Sequence, residues 1–76
     1  SRLPDASKLL IAQELSEFLL SKYADNKAAL QSMAKIFYMK RNAELCEMFL
    51  SKIDNDWLDD DCLLMRCFVL EKKGRK

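Results

Sequence analysis

Three cysteines are the residues of this sequence whose side chains could support redox or metal chemistry. They are Cys46, Cys62 and Cys67, and the chain has no histidine. No pair has the spacing of a CxxC motif, and the absence of histidine removes the usual partner of cysteine in a zinc site. We therefore interpret the cysteines as reduced, small hydrophobic residues of a cytoplasmic protein. A disulfide or another redox role remains the alternative.

Carboxylates form the second chemically interesting group, because residues 54–61 contain a run of aspartates. A calcium-binding loop would need glycine at its sixth position and glutamate at its twelfth, where this sequence has Asp59 and Met65. Helix capping explains the run better. The other carboxylates fall on polar helix faces without a histidine partner. The sequence therefore predicts no enzymatic activity, no metal and no cofactor.

Composition predicts a single all-α domain over residues 1–76. Half of the residues are hydrophobic, and there is only one glycine and one proline. No uncharged apolar run of about 18 residues predicts a membrane span, and the N-terminus lacks a signal-peptide pattern. The net charge of +1 argues against nucleic-acid binding. A chain this short, without a metal or a disulfide framework, is expected to gain stability from a partner.

Hydrophobic periodicity predicts four helices, arranged as two antiparallel helical hairpins. We expect an N-terminal arm over residues 1–6, helices over about 8–23, 27–40, 43–53 and 57–72, and a basic tail over 73–76. Pro4 or Ser7 is expected to start the first helix, Asp25 or Asn26 to cap the second, and Gly74 to lie beyond the fourth. The expected core face of the first helix is Ile11, Ala12, Leu15, Phe18, Leu19 and Tyr23.

An internal repeat relates the helices in alternation. Residues 13–22 and 43–52 are identical at six of ten positions, at an offset of 30. One residue is gained in the turn, which changes the offset to 31. At this offset Met33, Phe37 and Met39 correspond to Leu64, Phe68 and Leu70. A two-helix unit of about this length predicts a helical solenoid.

The unit from Lys27 to about Ile53 resembles a tetratricopeptide repeat. Its first helix has the large, medium, small and aromatic pattern in Leu30, Met33, Ala34 and Phe37, and its second helix continues it in Cys46, Leu50 and Ile53. Alanine replaces the usual glycine at position 34, and the closing proline is missing. The resemblance implies a solenoid fragment that starts on a second-type helix and stops on a first-type helix. Its end faces are either open to a partner or closed in a four-helix bundle.

In tetratricopeptide arrays the first-type helices line a groove, which implies a partner-binding surface on the second and fourth helices. The expected residues are Gln31, Lys35, Tyr38, Met39, Cys62, Arg66, Val69 and Leu70. Apolar anchors beside an aromatic ring and two cations suit an amphipathic helix of another protein. The alternative is that Met39, Val69 and Leu70 are ordinary core.

The whole chain is similar in size and helix order to the cytoplasmic co-chaperones of type III secretion needle subunits. This resemblance implies a hetero-complex with a second small helical chaperone, in which the groove holds the amphipathic C-terminal helix of the needle subunit. The competing hypothesis is structural: a self-associating four-helix bundle, or a fragment of a larger helical scaffold.

Overall fold

Four α-helices make up the regular structure of the described part of the chain. The computed structural model describes residues 5–53 and 59–74, with side chains from residue 7. The helices are α1 (Asp5–Lys22), α2 (Lys27–Met39), α3 (Ala43–Ser51) and α4 (Asp60–Gly74), and the described residues contain no strand. The prediction of an all-α chain with four helices is confirmed. Within the same residues, no helix is both long and apolar enough to cross a membrane.

Short polar side chains fix where three of the helices begin. Asn26 Oδ1 accepts a hydrogen bond from the Ala29 N–H at 2.9 Å, and Asn42 Oδ1 accepts one from the Leu45 N–H at 3.1 Å. Asp59 Oδ1 accepts one from the Cys62 N–H at 2.8 Å. Each bond satisfies a backbone donor of the first turn that has no partner within the helix.

The helix ends differ from the sequence prediction in several places. Asn26 is the cap of α2, as one of the two predicted alternatives. Helix α4 begins three residues later than predicted because Asp59 caps it, and Gly74 is its last residue. Ser7 lies inside α1 and does not cap it. The predicted roles of Pro4 and of residues 54–57 lie outside the described residues.

Packing is sequential along the chain. Helix α1 contacts α2, α2 contacts α3, α3 contacts α4, and α2 also contacts α4. Within the described ranges, α1 contacts neither α3 nor α4, so the helices do not close into a four-helix bundle. The array measures 40 × 27 × 20 Å, with a radius of gyration of 12.8 Å. A compact chain of this length would have about 11 Å.

The main core lies where α2, α3 and α4 meet. Phe37 of α2 stacks on Phe49 of α3 at its edge, with ring centroids 5.8 Å apart. The buried members of the main core are Leu30, Ala34, Cys46, Leu50, Ile53, Cys62, Met65 and Val69.

Helix α1 presents a different face to the core from the predicted one. Of the predicted core residues, Ile11, Leu15, Phe18 and Tyr23 are 56–60% exposed. The side that packs on α2 has Ser16 at its centre, only 5% exposed, with Leu9 and Leu20 partly buried. Helix α1 has apolar residues on two faces. The face with Ser16 packs on α2 because a small residue lets two helix backbones approach closely. Cys46 occupies the equivalent buried position in α3, 30 residues later.

Candidate partner-binding surface

The four residues predicted on α2 lie on its exposed side or face α4. Gln31 Nε2 donates a hydrogen bond to Asp59 Oδ2 at 2.7 Å, and Lys35 Nζ lies 3.6 Å from Asp61 Oδ2. The Tyr38 ring meets the Phe68 ring edge to face, with centroids 5.1 Å apart and planes at 88°. Met39, near the end of the same side, is exposed.

The four residues predicted on α4 do not face α2 with them. Cys62 and Val69 are buried in the main core, so their prediction as surface residues is wrong. Arg66 is directed toward α3, where its Nη2 donates a hydrogen bond to the Leu50 carbonyl at 3.4 Å. Leu70 is 69% exposed and lies at the edge of the α3–α4 contact.

A shift in repeat register explains this difference. The caps Asn26 and Asp59 are equivalent, as are the donors Ala29 and Cys62, which gives an offset of 33 residues for the first-type helices. The sequence comparison assumed 31. Since successive helix residues are about 100° apart, two residues rotate the predicted face of α4 by about 200°. The extra residues lie in the link between α3 and α4, which is longer than that between α1 and α2.

Two lysines support the corrected register. Lys40, after α2, donates from Nζ to Gln13 Oε1 of α1 at 2.9 Å. Lys73, 33 residues later in α4, donates from Nζ to Glu47 Oε2 of α3 at 2.8 Å. In each helix pair a lysine at the equivalent position near the end of the second helix thus contacts a side chain of the first, although the two acceptors are one helical turn apart in the repeat.

A groove between α2 and α4 has an aromatic floor and an apolar edge. We call this the α2–α4 groove; it is lined by Tyr38, Arg41, Leu64, Cys67, Phe68 and Glu71. Leu64 is 56% exposed at its edge, and Lys72 Nζ lies 6.0 Å from the Phe68 ring centroid. The sequence analysis did not include Leu64 and Phe68 in the predicted partner-binding surface. The cap position of Asp59 is the signal that would have placed them in the groove.

Basic residues gather at one end of the α2–α4 groove. Lys40 and Arg41 follow α2, and Lys72 and Lys73 lie in the last turn of α4; together they line one depression. Cations here also lie where the carbonyl ends of the helices favour positive charge. A ligand with negative charge at that end complements the groove.

The two buried thiols show no sign of activation. Burial raises the pKa of Cys46, and burial raises the pKa of Cys62 together with its side-chain hydrogen bond to Asp59. Both groups stay protonated at neutral pH, and the thiolate is the reactive form. Cys67 is exposed on α4. No group of three or more histidine, cysteine or acidic residues could hold a metal ion within residues 5–53 and 59–74.

Comparisons with protein families, curated proteins and solved structures found no match to this chain. Its function must be inferred from the geometry of the helix array and its surfaces.

Proposed function

We propose that this chain is a non-catalytic, tetratricopeptide-like protein-binding module that holds an amphipathic helix of another protein in the α2–α4 groove. The observation that carries the proposal is the groove itself. An open array of helices leaves Leu64 and Met39 exposed beside the packed rings of Tyr38 and Phe68.

The physical basis is the shape and chemistry of that surface. A helix docks in such a groove through apolar residues spaced by three or four positions, with aromatic and flexible side chains as anchors. Met39 adapts to an irregular ligand face because its thioether side chain is unbranched. The basic end of the groove, with Arg41 and Lys72, favours a partner helix that has acidic residues at one end.

Within this class, the resemblance to co-chaperones of type III secretion needle subunits gives the most specific candidate. The chain would then act in the cytoplasm in a hetero-complex, holding the C-terminal helix of a needle subunit and preventing its premature polymerisation. The similarity in chain size and helix order supports this candidate.

Affinity capture from the cells that express the chain, followed by quantitative mass spectrometry, tests the proposal. Leu64→Asp places a charge in the groove, and Met39→Asp places one next to Tyr38 on α2. Both positions are exposed, so both variants should stay helical but capture less than a tenth of the partner. Met48→Asp is the matched control, because Met48 is an exposed methionine on α3. Equal capture by all variants would rule out the groove as the binding surface.

A melting experiment with the captured partner separates binding from coincidental co-purification. A ligand of the native state at about 100 times its Kd stabilises that state by about 2.7 kcal/mol. The wild-type chain and Met48→Asp should both show a raised Tm with the partner. No rise in the wild-type chain would mean that the captured protein does not bind the folded array.

A further inference from the structure

Each outer helix of the array has an apolar face that is largely exposed. The α1 stripe consists of Ile11, Leu15, Phe18 and Tyr23, and the α4 stripe of Leu63, Cys67 and Leu70. All seven side chains are exposed. The two stripes lie at opposite ends of the helix order.

The α4 stripe is equivalent to the face of α2 that packs on α3. At the offset of 33 residues, Leu63, Cys67 and Leu70 correspond to Leu30, Ala34 and Phe37. In α2, the first two of these are buried in the main core, and the third stacks on a ring of α3. Within residues 5–53 and 59–74, helix α4 therefore has no neighbour of the α3 type on this face.

Two residues of the α1 stripe, Leu15 and Tyr23, fall on the face equivalent to the side of α3 that packs on α2, whereas Phe18 corresponds to the exposed Met48. At the offset of 30 residues, Leu15 corresponds to Leu45, and Tyr23 corresponds to the buried Ile53. Leu19, between them on the helix, corresponds to Phe49, which stacks on α2. Among the described helices, α1 has no neighbour of the α2 type on this side.

We propose that the α4 stripe of one copy docks on the α1 stripe of a second copy and reproduces the α2–α3 contact between molecules. The occupant of each open face is then the other open face of the same chain. The α2–α3 contact is the most extensive helix pair in the molecule. Leu70 borders the α3–α4 contact beside Leu50 and Val69, so a helix on the α4 stripe would extend an existing core.

Charge at one pair of helix ends agrees with this pairing. In the antiparallel arrangement of α2 and α3, the start of one helix lies beside the end of the other. The first turn of α4 has Asp60 and Asp61, and the last turn of α1 has Lys22, whose Nζ lies 5.4 Å from the Phe18 ring centroid in the α1 stripe. Opposite charges would meet when the two stripes pack antiparallel.

The symmetry of the contact gives a distinctive mass distribution. A contact between two different faces leaves one free α1 stripe and one free α4 stripe after each addition, so association continues or closes into a ring. Analytical ultracentrifugation of the wild-type chain should therefore show an average mass that rises past the dimer with concentration. A monomer at every concentration up to the millimolar range would overturn the proposal.

Two charge variants test which faces meet. Leu15→Asp disables the α1 stripe, and Leu70→Asp disables the α4 stripe; both positions are at least 60% exposed, so circular dichroism should show unchanged helicity. Each variant alone should be monomeric. An equimolar mixture should form a heterodimer and nothing larger, because each variant keeps the face that the other needs.

Like-to-like contacts predict a different result. If two α4 stripes met, Leu15→Asp alone would still dimerise and the mixture would gain nothing, which would contradict the proposal. Leu64→Asp in the α2–α4 groove should assemble like the wild-type chain. Leu64→Asp should lose partner capture and keep self-assembly, whereas Leu70→Asp should lose self-assembly and keep partner capture. These two results distinguish a failure of this inference from a failure of the proposed function.

Discussion

Asp59 shows how much of this fold one side chain can organise. Its carboxylate caps α4 through the Cys62 N–H and also accepts the Gln31 side chain of α2. These hydrogen bonds lower the pKa of Asp59, with the bond from the Cys62 backbone as the largest cause. One residue thus fixes both where α4 begins and how it is rotated against α2.

Acidification should therefore weaken the α2–α4 contact. A carboxyl group whose pKa is lowered by folding stabilises the fold above its ordinary pKa, and this contribution is lost as the pH falls through the lowered value. We expect Asp59→Ala to lower the Tm at pH 7. Asp59→Asn keeps a helix cap, and its Tm should fall less than that of the wild-type chain when the pH is lowered from 7 to 3. Asp60→Asn, which removes the neighbouring carboxylate, is the control.

The cysteines give a second prediction at this scale. Only Cys67 is exposed, so mass spectrometry after brief alkylation of the native chain should find this thiol modified and Cys46 and Cys62 protected. Because folding raises the pKa of the two buried thiols, their contribution is present below the ordinary thiol pKa and is lost as the pH rises through the raised values. Fast labelling of Cys46 at neutral pH would contradict its placement in the core.

At the scale of the elements, the tight link between α2 and α3 depends on a left-handed residue. Arg41 has φ of 62°, a conformation that costs a non-glycine residue about 1–2 kcal/mol. We expect Arg41→Gly to leave the free energy of unfolding unchanged or to raise it, and Arg41→Ile to lower it by about 1 kcal/mol. Lys40→Gly, at a φ of −82°, should be destabilising in the same urea titration.

The orientation of α1 is testable in the same way. Ser16 is buried against α2, so Ser16→Leu should lower the free energy of unfolding by about 1–3 kcal/mol through overpacking. Ile11→Ser should change it by less than about 0.5 kcal/mol, because the side chain is already exposed. If Ile11→Ser lowered the free energy of unfolding more than Ser16→Leu in urea denaturation, the face that packs on α2 would be the one that the sequence predicts.

The sequence predicts the helices better than it predicts their rotation. Short links, few breakers and the Asn26 cap locate three helices within a few residues. The predicted orientation of α1 about its axis is wrong because apolar residues on two faces make the hydrophobic periodicity ambiguous, and a buried serine gives no hydrophobic signal. The predicted orientation of α4 is wrong because the length of the α3–α4 link changes the repeat register, and only the Asp59 cap shows where that helix begins.

At the scale of the whole molecule, an open array leaves apolar surface in two kinds of place. The α2–α4 groove is concave and has a basic end, which suits a helix of another protein. The α1 and α4 stripes are end faces that complement each other and suit a second copy. Both follow from the sequential packing, in which α1 contacts only α2 among the described helices.

Site-specific photo-crosslinking in the cell tests the central claim most directly. A photoreactive phenylalanine analogue replaces Leu64 in the groove, Met39 beside the groove on α2, or Met48 on α3 as the control. The account predicts covalent adducts with one protein of a different sequence from the Leu64 and Met39 positions, joined through an amphipathic helix, and none from Met48. Adducts with this chain alone, or the same adducts from all three positions, would contradict it.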